Sequence, residues 1–205
     1  MQRYANISKY QQIIQYHPFC VQNVDHFLRK NSLIACQNHK ITQENFYTMA
    51  YGLLKGKRGI ISGALNEDSI AWKIAQRAHE EGATFTLTNA PLAMRMGEIN
   101  KLAEETGAKI IGADATSIEE LENLYDESLE FLGGPVDFVL HSIGMSTNIR
   151  KGREYSDLNY EWFLKSIDVS ALFFHKMMQV AQKKDAIGEG GSVVALSYIA
   201  AQRSF

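Results

Sequence analysis

Five short clusters of residues carry the chemistry of this chain: Gly63 with Ser69-Ile70, Asn89-Ala90, Asp114-Ala115, His141-Ser142-Ile143-Gly144, and Ser197-Tyr198. Each follows a short apolar run that reads as a strand. All five would therefore sit beyond the carboxyl ends of the strands, where an open α/β sheet binds ligands. A glycine at 63 lets the backbone approach a diphosphate, and the free N–H groups of a helix starting near Ser69 would face its negative charge. A carboxylate at Asp114 can accept a hydrogen bond from an adenine amino group, and a small Ser-Ile-Gly turn leaves room for a ribose. Singly, these residues have plainer readings. Asp114 can be a loop residue beside the next N-cap, Gly144 can merely turn the chain, and Tyr198 can be a strand-end aromatic. His141 reads as a packed strand-end residue rather than a catalyst, because no second His, Cys or paired acid accompanies it. Together, at one edge of one sheet, the clusters point to a dinucleotide site.

The elements that must position them alternate strand and helix from Met49 onward, which predicts a doubly wound parallel sheet. Residues 57–81 set the pattern: a strand over 59–62, a turn opened by Gly63, and a helix from about Ser69. Ile70, Ile74 and Ala78, with Ala71 and Ala75 beside them, form the face expected to meet the sheet. The turn departs from G-x-G-x-x-G, since Ser69-Ile70-Ala71 stands where the later glycine would be. Further strands are expected over 83–88, 109–113, 136–141 and 192–196. One helix is expected over about 92–105 and a long amphipathic one over about 160–183. Between them, a helix starts at a capping box of Thr116 and Glu119 and stops at Gly133-Gly134-Pro135. Gly188-Glu189-Gly190-Gly191 reads as the turn before the fifth strand.

At 205 residues the chain can hold one good-sized α/β domain and little more. No apolar run approaches membrane-spanning length, so a soluble globular protein with no membrane partner is the default. The net charge of −2 is unevenly spread. Residues 1–48 carry Arg3, Lys9, Arg29, Lys30 and Lys40 against Asp25 and Glu44, which leaves the remainder acidic and argues against nucleic acid as a partner. Both cysteines, Cys20 and Cys36, fall in that first segment, and a body without cysteine suits a reducing cytoplasm. Residues 1–48 lack glycine and any strand–turn–helix grammar. They read as an extension, or as upstream sequence, joined to a domain at 49–205. No apolar stretch of signal-peptide type follows the N-terminal charge. His17-x-x-Cys20 and Cys36-x-x-His39 are pairs of zinc-ligand type. Their order is unusual and the glycines of a zinc knuckle are missing, so no metal site is expected.

The order Gly63-Ala-Leu-Asn-Glu-Asp-Ser69-Ile70-Ala71, then His141-Ser142-Ile143-Gly144, then Ser197-Tyr198-x-x-Ala201-x-Arg203 resembles bacterial enoyl-acyl-carrier-protein reductase of the short-chain dehydrogenase type, over residues 49–205. Ordinary short-chain dehydrogenases carry a T-G-x-x-x-G-x-G turn and an N-A-G triplet after the fourth strand; here Ser-Ile and Ser-Ile-Gly take those places. The resemblance implies a Rossmann-type fold and a homotetramer. It also implies NADH-dependent reduction of a trans-2-enoyl thioester, carried on acyl carrier protein, in fatty acid synthesis. By the same resemblance Gly63, Ser69 and Ile70 would meet the pyrophosphate, Asp114 and Ala115 the adenine, and Ile143 with Gly144 the nicotinamide half. Ser146 would lie beside the acyl substrate, and Tyr198 would be the first of two active-site tyrosines. The choice of NADH rests on the resemblance. Asn89-Ala90-Pro91 offers neither the base usual in NADPH enzymes nor the acid common in NADH enzymes, and the nearest base is Arg95. The loop Arg150-Lys151-x-Arg153 reads as solvated rather than as a contact for an acidic carrier protein. The family's second tyrosine, its ribose-holding lysine, its later strands and its substrate-closing loop would all follow Phe205. The expectation is thus a fold incomplete at the C-terminus, with strand 192–196 left as an apolar edge, and a chain without measurable turnover on its own. Another short-chain reductase acting on a ketone or alcohol, and a non-catalytic nucleotide-binding module, are the alternatives.

Overall fold

A computed structural model describes residues 50–197. The chain divides into two units, Met1–Tyr51 and Gly52–Phe205, and the second is described below. The extension expected over 1–48, its His/Cys pairs and Tyr198 lie outside the described residues.

Strand β1 (Arg58–Ser62) leads to helix α1 (Ile70–Glu80), β2 (Thr84–Asn89), α2 (Pro91–Met96), α3 (Ile99–Thr106) and β3 (Lys109–Gly112). There follow α4 (Ile118–Leu132), β4 (Val136–His141), α5 (Thr147–Arg150), a 3-10 turn (Tyr155–Asp157), α6 (Tyr160–Ile167), a π-helical turn (Asp168–Leu172), α7 (Phe173–Lys183) and β5 (Ile187–Ala195). The strands form one parallel sheet in the order β3-β2-β1-β4-β5. The chain winds from β1 out to β3, returns to β4 beside β1, and continues the other way to β5. The order therefore reverses between β1 and β4, the doubly wound arrangement expected from the sequence. Strand alternation sends Ile60 into a layer with Leu121, Tyr125, Phe173 and Met177 of α4 and α7. Its neighbour Ile61 faces Ala71, Trp72, Ile99 and Leu102 of α1 and α3. A sheet covered on both faces needs strands that are apolar throughout, as β1 is.

Several expectations need correction. In α1 the buried residues are Ala71, Trp72, Ala75 and Ala78, while Ile70, the first residue of the helix, is 63% exposed at the rim; the large side chain that α1 buries is Trp72. The helix expected over 92–105 is two helices. Glu98 N–H donates to Leu65 O at 2.9 Å instead of to the turn behind it, and a Cβ on Gly97 would strike Leu65 O at 2.7 Å. The N-cap of α4 is Ser117, whose Oγ accepts Glu120 N–H at 3.2 Å, because the Thr116 hydroxyl is already bonded to Asp114 Oδ1 at 2.7 Å. The long helix over 160–183 is continuous but carries the π turn, where Phe173 N–H donates to Asp168 O, five residues back. Residues 188–191 lie within β5 rather than before it: Val136 pairs with Ile187 and Phe138 with Ser192, leaving Asp137 opposite four residues. Among the described residues β5 is an edge strand, and Val194 on it is half exposed.

Candidate functional site

The carboxyl ends of β1, β2, β3 and β4 bring the predicted clusters to one rim. The loops after β1 and β4 are in direct contact. Gly63 has φ +92, its N–H donates to Thr88 O at 3.0 Å, and a Cβ there would lie 2.1 Å from Ser142 O. The space that its missing side chain leaves is thus taken by the neighbouring loop. That close contact between loops is the geometric need the structure displays for glycine at 63. Beneath it, fully buried Ser62 donates Oγ–H to Leu140 O (2.8 Å) and accepts Ser142 N–H (3.3 Å), joining the ends of β1 and β4. Asn89 performs the same service on the other side. Its Nδ2 donates to Ala64 O (3.1 Å) and its Oδ1 accepts Ala90 N–H (2.9 Å), so both ends of the amide help shape the loop.

Ser69 organises the start of α1 from within. Its Oγ donates to Asn66 O (2.7 Å) and accepts Leu65 N–H (3.2 Å), leaving it without a side-chain cap bond. The N–H groups of Ile70 and Ala71 accordingly have no hydrogen-bond partner among the described residues. Unpaired donors at the positive end of an 11-residue helix suit an anionic group. At the end of β3, Asp114 is exposed and Ala115 buried. The Thr116 hydroxyl and then its backbone N–H, both donating to Asp114 Oδ1, hold this carboxyl below its ordinary value. It stays an acceptor. After β4, Ile143 rests partly on the core, Gly144 is exposed, and Ser146 is half-buried ahead of α5 without capping it.

His141 is packed against the rings of Phe173 and Phe174, with centroids 5.1 and 5.4 Å away. Burial holds its pKa below the ordinary value, so the ring is neutral, and neither nitrogen has a partner among the described residues. It is a packed strand-end residue. Of the basic loop, Arg153 pairs with Asp157 (2.5 Å) and lies over Trp162, while Arg150 and Lys151 are exposed. Among the described residues no group of His, Cys, Asp and Glu could hold a metal ion, and no helix is long and apolar enough to cross a membrane.

Sequence reasoning did not find Ser62 or Ser170, whose Oγ lies on Met145 between Gly144 and Ser146. Both are single serines without motif or period, and their partners are distant in the chain. The residues present do fit a dinucleotide: free helix N–H groups at one loop, an exposed acceptor at Asp114, and an open turn at Gly144.

A family model described as Enoyl-(Acyl carrier protein) reductase matches residues 63–205. Enoyl-[acyl-carrier-protein] reductase [NADH] FabI of Rickettsia bellii is 39% identical over 159 residues, covering 76% of this chain and 58% of the relative. Enoyl-[acyl-carrier-protein] reductase [NADH] 1 of Rhizobium meliloti is 35% identical over 75% of this chain and 56% of its own length. This chain thus spans somewhat more than half the length of these curated relatives. The crystal structure of the FabI–NADH complex from Alistipes finegoldii superposes with a TM-score of 0.74 at 61% identity, over 76% of this chain and 55% of that one. An enoyl reductase from Anaplasma phagocytophilum in complex with NAD gives 0.66 at 29% identity, over 77% and 60%. With a family match running from the β1 turn to the last residue, and relatives well above 30% identity, the chain belongs to the enoyl-acyl-carrier-protein reductase family.

Proposed function

We propose that the protein carrying this domain reduces trans-2-enoyl thioesters on acyl carrier protein with NADH, in fatty acid synthesis. The observation that carries the reading is the rim itself. The loops after β1 and β4 meet at Gly63 and Ser142, beside a helix start whose first N–H groups are free. On this reading Gly63, Ser69 and Ile70 flank the pyrophosphate, which the Ile70 and Ala71 N–H groups bind. Asp114 accepts a hydrogen bond from the adenine amino group, with Ala115 forming the wall beside it. Ile143 and Gly144 lie along the nicotinamide half, and Ser146 borders the acyl chain. NADH, when bound, supplies the hydride that adds to the β-carbon of the enoyl group. As negative charge develops on the thioester oxygen, a phenol placed there stabilises it by about 3 kcal/mol for one well-placed donor; Tyr198, the first of the family's two active-site tyrosines by resemblance, would line the pocket near the enoyl group.

Asn89 is engaged by Ala64 and Ala90, and Asn89-Ala90-Pro91 has neither a base nor an acid for the ribose end. The choice of NADH over NADPH rests on the family membership. A homotetramer and a cytoplasmic setting complete the proposal, supported by the family membership and by the absence of cysteine after Cys36.

Fluorescence titration of the 205-residue chain with NADH and NADPH tests the site. Saturable binding of NADH with weaker NADPH is expected, and no response to either would sink the reading. Consumption of NADH dependent on a trans-2-enoyl thioester, and not on a ketone, tests the reaction on the protein.

A further inference from the structure

The π turn in the helical stretch 160–183 serves the loop that follows β4. Ser170 Oγ accepts Met145 N–H at 2.9 Å and donates to Met145 O at 3.2 Å. One hydroxyl thus engages both polar backbone atoms of one loop residue. A Cβ built on Gly144 would have Ser170 Oγ as its nearest neighbour, 4.0 Å away. Ser142 N–H is held by Ser62, and Ser146 O by Arg150 N–H. Between those two points, the contacts of Met145 with Ser170 are the main-chain hydrogen bonds of this stretch among the described residues.

The turn is moored at the other end of the site as well. Asp168 Oδ1 accepts Lys176 Nζ at 2.7 Å, and the same ammonium reaches Thr116 O at 3.4 Å, beside Asp114 and Ala115. The extra residue of the π turn rotates what precedes it by about 100° relative to an unbroken helix. That rotation lets Ser170 reach the loop while Phe173, Met177 and Val180 stay buried in α7.

We propose that the π turn Asp168–Leu172 is a positioning brace for the nicotinamide end of the site, with Ser170 the residue that fixes the Gly144-Met145-Ser146 backbone. The proposal rests on the cofactor reading above. Ser170 touches neither cofactor nor substrate in this scheme; it acts through Met145.

The experiment titrates the 205-residue chain and its Ser170→Ala and Ser170→Thr variants with NADH and with ADP-ribose, which has the adenine and diphosphate but no nicotinamide. Ser170→Ala should weaken NADH roughly tenfold, as expected for two lost neutral hydrogen bonds, and leave ADP-ribose within about twofold. Ser170→Thr, which keeps the hydroxyl, should recover most of the loss. Equal weakening of both ligands, or unchanged NADH binding, would overturn the brace and leave the cofactor site standing. A wild-type chain that fails to bind NADH would overturn the cofactor reading and the brace together. Should Ser170→Ala not fold, hydrogen exchange at Met145 N–H in the wild-type chain decides: protection supports the brace, and exchange at the free-peptide rate overturns it.

Discussion

Gly63→Ala probes the geometry of the rim more directly than a change to any charged residue. The added methyl would lie 2.1 Å from Ser142 O and 2.6 Å from Ser142 C, both backbone atoms that no rotamer change can move aside. Carbon–oxygen contacts run at about 3.3 Å or more, so the two loops must part by roughly 1 Å. Forcing an extra methyl into a packed site costs about 1–3 kcal/mol. The positive φ of +92 adds about 1–2 kcal/mol for a residue with a side chain. The sum, about 2–5 kcal/mol, is a large part of the roughly 5–15 kcal/mol that holds a domain together. Gly107 supplies the control: its φ is +69 and no atom lies within 4 Å of a Cβ built on it, so Gly107→Ala should cost only the backbone part, about 1–2 kcal/mol. Urea unfolding of both variants, followed by circular dichroism, yields the difference that belongs to the Ser142 contact. NADH titration of the folded Gly63→Ala chain should show weakened binding as well. Equal costs for the two alanines would refute the loop contact, and a destabilised Gly63→Ala that binds NADH normally would refute its part in the site.

Two predictions concern pH. Burial holds His141 below its ordinary 6.5, so as pH falls the unfolded chain takes up this proton first. The stability tied to the neutral ring is complete above pH 6.5 and is lost as pH drops through the lower folded value. His141→Phe should flatten that part of a urea-midpoint profile and leave the midpoint at pH 8 nearly unchanged, because no hydrogen bond among the described residues is removed; an acid slope like that of the wild type would contradict the buried neutral ring. Asp114 is held below 3.8 by Thr116, so its contribution is present above that value and lost as pH falls through the depressed one. Thr116→Val deletes the hydroxyl bond and should move the Asp114 carboxyl upward in an NMR titration, whereas an unmoved titration would show that the hydroxyl does not hold it.

The strands were legible because a sheet covered on both faces writes itself as apolar runs, and Ile60-Ile61 and Val139-Leu140 are such runs. The rim followed from the same pattern, since Gly63, Asn89, Asp114 and His141 each stand where a run stops. Details decided by contacts distant in sequence were not legible. Ser62 looks like the polar end of a strand, yet its partners Leu140 and Ser142 lie 78 and 80 residues away. Thr116 and Ser117 are equally good caps on paper; the carboxylate of Asp114, by engaging Thr116, settles the choice. A glycine cluster marks either a turn or a bulge, and pairing with β4 decides for the bulge at 188–191. The π turn was hidden because residues 168–172 contain neither glycine nor proline, the residue types that usually mark a break in a helix.

The mismatch at Asp137, one residue facing four, makes the amino end of the sheet a buffer against changes in chain length. Residues 193–195 pair in unbroken step with 139–141 up to the ligand rim. An insertion among residues 188–191 would enlarge an excursion that already exists instead of sliding β5 by one step, a slip that would turn each of its side chains to the wrong face. A short epitope or a reporter peptide can therefore be grafted into this segment while the opposite end of the sheet keeps its alignment.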